Sequence, residues 1–100
     1  MIASISGTVR VKDVASLVVD VSGVGYKVMV PTDVSLEATL SQPIFLWTYL
    51  AVRENALDLF GFDDRENLNA FELLITISGI GPKTALGILN VATPKSFAKQ

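Results

Sequence analysis

Through the first sixty or so residues apolar positions recur at every second place, the spacing of half-buried strands; from Asp63 onward they recur every three to four, the spacing of a helix face. Ile2 to Val11 alternates loosely and is rich in β-branched residues, with Gly7 inside it where a glycine predicts a bulge or sharp bend. Lys12-Asp13 reads as a tight turn. Leu17, Val19 and Val21 share one face of a second strand. Ser22-Gly23-Val24-Gly25 is turn chemistry, and Tyr26 to Val30 alternates again until Pro31 stops it. Residues 32–41 are polar and mixed and read as a connection with room for a short helical turn. Ile44 to Val52 is a long apolar strand with Phe45, Trp47 and Tyr49 on one face. Arg53-Glu54-Asn55 forms a polar tip, from which Ala56 to Phe62 returns as a fifth strand.

Five strands with glycine kinks in so short a stretch predict a small closed barrel of the OB type, since closure removes exposed edges; an SH3-like barrel is the alternative. In a barrel of this size Phe45, Trp47 and Tyr49 are expected in the core rather than as a platform for stacking bases, and Phe60 and Phe62 with them. Asp63 is placed to cap a helix whose third residue is Glu66, an Asp form of the capping box. Leu68, Phe71, Leu74 or Ile75, and Ile77 follow at helical spacing. Ser78 to Gly81 breaks this helix, and Pro82 suits the first position of the next, because its missing N–H would have no partner there. That helix is expected from about Lys83 to Asn90 with Ala85, Ile88 and Leu89 inward. Thr93-Pro94 repeats the start signal for a third. The fold class is thus a β barrel plus α, with a barrel domain over 1–62 and a helix-hairpin-helix domain over 63–100.

Composition removes several chemistries. The 100 residues contain no histidine and no cysteine, so a Ser-His-Asp triad, a thiolate nucleophile, a disulfide framework and a zinc site of the finger kind are all excluded. The longest uncharged run, Ala38 to Val52, is shorter than the roughly 20 residues of a spanning helix and holds Gln42 and Pro43. The N-terminus lacks the basic start and cleavage site of a signal peptide, which leaves the cytoplasm as the simplest compartment. Half the residues are apolar, a surplus that hints at a surface covered by another subunit. The net charge of −2 and pI near 4.9 count at first against nucleic acid. Position by position the balance differs: residues 1–62 hold four basic and six acidic side chains, and after Glu72 come Lys83, Lys95 and Lys99 with no acid.

The stretch Ile77-Ser-Gly79-Ile80-Gly81-Pro-Lys83-Thr-Ala85-Leu-Gly-Ile88-Leu89 has the helix-hairpin-helix form. Gly79 and Gly81 permit positive φ and carry no Cβ, so the backbone N–H groups of Gly79, Ile80 and Gly81 can approach a phosphate oxygen closely. They precede a helix N-terminus, whose partial positive charge favours an anion, and Lys83 in its first turn adds a full charge. Ile80 is expected to anchor the hairpin and Ala85 to let the helices pack closely. None of these contacts reads a base, so the implied binding is independent of sequence. The plainer reading is a helix corner with glycine and proline at its boundaries. The GxxxxGK[ST] spacing of a nucleotide phosphate loop is absent, and no cofactor is called for.

Four separated segments carry a resemblance: Met1-Ile2 with Gly7, Gly23-Val-Gly-Tyr26, Val52-Arg-Glu54 followed by Leu59-Phe-Gly-Phe62, and Gly79-Ile-Gly-Pro-Lys83. Across its whole length the chain resembles the N-terminal half of the RuvA family, the Holliday-junction-binding subunits of the bacterial RuvAB branch-migration complex. The resemblance implies an OB-like barrel followed by a helical domain, assembled as a homotetramer that holds four-way junction DNA on one face. It also implies a non-catalytic role in recombination and repair, with a RuvB-type ATPase and a RuvC-type resolvase as protein partners. Glu54 matches an acidic pin at the junction centre, where carboxylates repel phosphates and guide the strands apart. On its own, Arg53-Glu54-Asn55 reads as a solvated turn. Asn55 stands where the family usually has Asp, which halves the charge of the pin in each subunit. A second helix-hairpin-helix motif and a C-terminal domain that binds the ATPase are expected in the family and are not in these residues, so the sequence reads as a fragment. One motif supplies about half of the expected phosphate contacts, which lowers affinity and salt dependence. The competing readings are an oligomerising protein-interaction module without DNA binding and, third, an enzyme limited to Asp, Glu, Lys or Ser.

Overall fold

A computed structural model describes residues 1–91. Five strands, β1 (Ser4–Lys12), β2 (Ser16–Val21), β3 (Val24–Met29), β4 (Pro43–Arg53) and β5 (Ala56–Phe62), close into a barrel in the order β1-β2-β3-β5-β4. Helix α1 (Thr32–Glu37) lies between β3 and β4, and α2 (Arg65–Ile75) and α3 (Pro82–Val91) follow the barrel. The expected five-stranded OB-like barrel with helices after it is what the chain forms. The pairings are antiparallel except for β3 with β5, a parallel seam formed by Val28 opposite Leu59 and Met29 opposite Phe60. A helix start signalled at Thr93-Pro94 lies outside the described residues.

Local chemistry explains the turns. Ser22 (φ 52°) and Gly23 (φ 92°) are both left-handed, as a two-residue turn between right-twisted strands requires. This turn is shorter than the four residues expected, and Gly25 already belongs to β3, opposite Asp20. The Asp20 carboxylate accepts from the Gly23 N–H at 2.8 Å and from Arg10 Nε at 3.0 Å. The Gly23 bond and then Arg10 hold its pKa below the usual carboxylate range. Gly7 does not mark the bulge. The register shifts between Val9 and Val11, whereas a Cβ on Gly7 would stand 2.3 Å from the Asp20 carbonyl oxygen, so glycine there lets two backbones approach.

Two hydrophobic layers follow from the pleat. Ile5, Val9, Leu17, Val19, Val28, Val30, Leu46 and Leu59 fill the barrel together with Val34 of α1. The second layer lies outside the barrel wall, where Ala51, Phe60 and Phe62 pack against Leu68 and Phe71 of α2 and Ala85, Leu86 and Leu89 of α3. This corrects the reading of β4. Leu46 and Thr48 point inward and are buried, while Trp47 and Tyr49 face outward and are only partly covered, and Phe45 is 46% exposed. Aliphatic side chains fill so narrow a barrel, and the bulky rings go where helices add a second layer. Phe60 and Phe62 are buried, but in this outer layer.

The helices start and face differently from expectation in three details. Asp64 rather than Asp63 is the N-cap of α2, its Oδ1 accepting from the Asn67 N–H at 2.8 Å. Ile77 lies beyond the end of α2 and is half exposed. On α3 the buried positions are Ala85, Leu86 and Leu89, with Ile88 turned to the surface. Pro82 is the first residue of α3, as its chemistry suggested. Asn90, at the far end of α3, accepts from the Thr32 N–H at 3.0 Å and so caps α1, which has no side-chain cap of its own next to it. No helix among the described residues is long and apolar enough to cross a membrane.

Phe71 is fully buried among three rings, so Phe71→Ala is expected to destabilise the chain by about 3–5 kcal/mol. Leu73→Ala, on the exposed side of the same helix, should change stability by no more than about 0.5 kcal/mol. Urea unfolding followed by the fluorescence of Trp47, the single tryptophan, measures both.

Candidate nucleic-acid interface

Between α2 and α3 the chain turns through Ile77 to Gly81. The Ile77 N–H donates to the Leu74 carbonyl at 3.1 Å and the Ile80 N–H to the Ile77 carbonyl at 3.1 Å, which closes the corner. Gly79 has φ +87°, a conformation that any side chain would strain. Ile80 is partly buried against the outer hydrophobic layer and anchors the hairpin as expected. Ala85, with no exposure at all, sits where α3 meets α2.

The donor set differs from the one read off the sequence. Ile80 cannot offer its amide outward, because the corner uses it. Gly81 does not have positive φ, and a Cβ there would meet nothing within 4 Å. Its glycine is therefore not required by the packing of the chain itself. At the start of α3 the first hydrogen bond back to the corner is from the Ala85 N–H to the Gly81 carbonyl, at 3.0 Å. The amides of Gly81, Lys83 and Thr84 donate to no acceptor among the described residues, the usual condition of a helix N-terminus. Lys83 is exposed beside them. Thr84 was not singled out from the sequence; the signal was available, since any helix opened by proline leaves its next amides unpaired.

Lys83 also reaches the barrel. A groove of about 230 Å³ is lined by Lys27 and Met29 of β3, Leu57, Asp58 and Leu59 of β5, and Lys83. It follows the parallel seam and brings the hairpin corner next to the strand that leaves the polar tip. At that tip Arg53 pairs with Ala56, so Glu54 and Asn55 form a two-residue connection, both exposed. Arg53 Nη2 lies 2.7 Å from Asp58 Oδ2, which pairs these two charges. Glu54 has no ion-pair partner among the described residues. The structure thus brings Gly79, Gly81 and Lys83 together and sets Glu54 at the end of the adjacent hairpin.

At the opposite end of β4, Phe45 and Trp47 meet edge to face at 5.0 Å, and the Arg65 guanidinium lies 5.0 Å from the Trp47 ring centroid. This aromatic group is separate from the corner. Among the described residues no three carboxylates gather where a metal ion could be held.

Comparison with known proteins is consistent across the chain. Residues 1–61 match the family model described as the RuvA N terminal domain, and residues 71–100 match one described as a SAM-like helix-hairpin-helix tandem. The Holliday junction branch migration complex subunit RuvA of Laribacter hongkongensis is 43% identical over 100 residues, covering 99% of this chain and 50% of the relative. The proteins of the same name from Leifsonia xyli subsp. xyli and Acetivibrio thermocellus are 42% and 39% identical, each over 98% of this chain and over 47% and 49% of their own lengths. The chain therefore spans about half the length of the curated relatives it matches.

The two glycines of the corner are expected to respond oppositely. Gly79→Ala forces a Cβ into a left-handed conformation and should cost about 1–2 kcal/mol of stability. Gly81→Ala should leave stability unchanged or raise it by up to about 1 kcal/mol, since it only narrows the unfolded ensemble. Thermal unfolding of both variants checks the pair.

Proposed function

The chain belongs to the RuvA family, and on that premise we propose that it is the part of a junction-binding scaffold that holds the sugar–phosphate backbone of four-way DNA. The observation that carries this reading is the start of α3. Three amides without an internal acceptor, a glycine with open space around it and an exposed lysine converge on one point, which is the arrangement that receives a phosphate oxygen. Gly79 sets the turn, Ile80 holds it to the outer layer, and Gly81 leaves room for the backbone to be approached. Donors of this kind do not distinguish bases, so binding is independent of sequence.

Glu54 acts as the acidic pin. Arg53 is neutralised by Asp58, which leaves the tip with one uncompensated negative charge where two strands of a junction would part. Asn55 adds a hydrogen-bonding group there and no charge. The scaffold has no catalytic role in this reading: strand exchange is driven by a separate RuvB-type ATPase acting through a segment outside this chain. Four copies around the junction centre, in the cytoplasm, complete the proposal, with 1–62 as the barrel domain and 63–100 as the phosphate-binding domain. A RuvC-type resolvase would act on the face of the junction left open. The exposed apolar residues Leu73, Ile77 and Val91 suit contacts between copies.

Titration of a four-way junction and a linear duplex of the same composition, each at several salt concentrations, tests the reading. Preference for the junction is expected; equal or absent binding to both by the folded chain would overturn it. Lys83→Ala should weaken binding to all sequences alike and flatten the plot of log affinity against log salt by about one unit. Glu54→Gln should tighten junction binding by about twofold per copy, the size of one charge–phosphate repulsion at about 10 Å in water. Unchanged or weaker binding by that variant would remove the pin from the mechanism.

A further inference from the structure

We propose that Lys27, on strand β3, is a second DNA phosphate-binding group, facing Lys83 across the groove at the parallel seam and carrying the footprint from the helical hairpin onto the barrel. This rests on the phosphate-binding reading of the corner and extends it to a residue that neither the motif nor the pin includes. Lys27 and Lys83 line the same groove of about 230 Å³, one from β3 and one from α3. The one acid in its lining, Asp58, is engaged by Arg53 at 2.7 Å. Directly opposite Lys27 on β2 stands Val18, and the next residue on that face, Asp20, is held by Arg10 and by the Gly23 amide.

Neither lysine has a carboxylate within ion-pair distance among the described residues. Two ammonium groups on one groove, whose single acid Asp58 is already paired with Arg53, repel one another; a phosphodiester between them removes that repulsion and adds two attractions. Met29, Leu57 and Leu59 give the long lysine stems an apolar floor to lie on, which leaves their heads free to reach outward. Position also favours DNA over a free anion. The groove lies between the open amides of α3 and the hairpin that ends in Glu54, so a backbone running from the first toward the second crosses Lys27. Phosphates held there are neutralised by two independent walls of the protein, one from each side of the β3–β5 seam.

The test is junction titration from about 50 to 200 mM salt with the unaltered chain, Lys27→Ala, Lys27→Arg, Lys83→Ala and Lys12→Ala. Lys12 is an exposed lysine on β1, outside this groove, and controls for the loss of one charge. Lys27→Ala should bind more weakly and with a salt slope flatter by about 0.9, so that its deficit shrinks about three- to fourfold across that range. Lys27→Arg should keep the slope and Lys12→Ala should match the unaltered chain. A Lys27→Ala variant with unchanged affinity and slope, or a Lys12→Ala variant with an equal loss, overturns the assignment while leaving the corner intact if Lys83→Ala still weakens binding. Failure of the unaltered chain to bind any DNA would instead remove the underlying reading and this one with it. Thermal unfolding of each variant confirms that the comparison is made between folded chains.

Discussion

Phe71 meets Tyr49, Phe60 and Phe62 at ring-centroid distances of 5.5, 5.3 and 5.0 Å, and through those rings α2 is fixed to the outside of the barrel. Burying one phenylalanine contributes about 1.5–3 kcal/mol, and each well-placed aromatic pair about 0.5–1.5 kcal/mol more. Surface ion pairs such as Arg10–Asp20 and Arg53–Asp58 are weak and screened by salt, so they cannot set the position of a helix against a barrel. Everything the hairpin does depends on this packing. The corner follows directly from α2, and α3 folds back so that Ala85, Leu86 and Leu89 close the same hydrophobic layer. The Asn90 bond to the Thr32 amide then ties the far end of α3 to α1.

This attachment decides where Lys83 points. The seam between β3 and β5 is the shortest pairing of the barrel, and α3 begins over it. A hairpin docked elsewhere on the wall would present the same amides to solvent but would not place them beside the strand that leads to Glu54. The hairpin corner and the Glu54 tip are thus kept on neighbouring parts of one surface by hydrophobic packing, not by any contact between them. Their separation is set by β5, a rigid element, rather than by a loop.

The strands, their order of appearance and the change of period at residue 63 are legible because each element repeats its pattern several times. What the pattern does not reveal is which of two apolar faces turns inward. Residues 44–52 of β4 are apolar on both faces, and the bulkier one, with Phe45, Trp47 and Tyr49, was the natural choice for the interior; the barrel instead takes Leu46, because its inner volume suits aliphatic chains. Similar ambiguity moved the cap from Asp63 to its neighbour Asp64, and rotated α3 so that Leu86 replaced Ile88, since 85, 86, 89 and 85, 88, 89 are both helical faces. The motif located the corner but did not reveal how its amides are used. Ile80 lies between two glycines and looks equivalent to them, but the corner closes on its N–H, whereas the amides of Gly81, Lys83 and Thr84 stay open. Lys27 carried no signal at all, because its partner across the groove is more than fifty residues away in the chain.

The acidity that first argued against DNA takes on a different meaning once the charges are placed. Two of the barrel's acids, Asp20 and Asp58, are paired with Arg10 and Arg53 and present little net field. Glu54 is left as an isolated negative charge at a hairpin tip, and Lys27 and Lys83 as isolated positive charges on the groove behind it. Leu57 on the groove wall follows the Glu54-Asn55 turn closely, and three residues of chain keep it at most about 10 Å from Glu54. That bound is within about one Debye length in physiological salt, about 8–10 Å, so in the proposed function the repulsion and the attraction act on the same phosphates rather than on separate parts of a ligand. A positive surface throughout would bind any duplex and give a strand no reason to turn. In the proposed function a negative tip within a screening length of a positive groove penalises a backbone that continues straight and rewards one that bends aside, as the centre of a four-way junction requires. Net charge is the wrong measure of such a surface, because its function would lie in the gradient between the two signs.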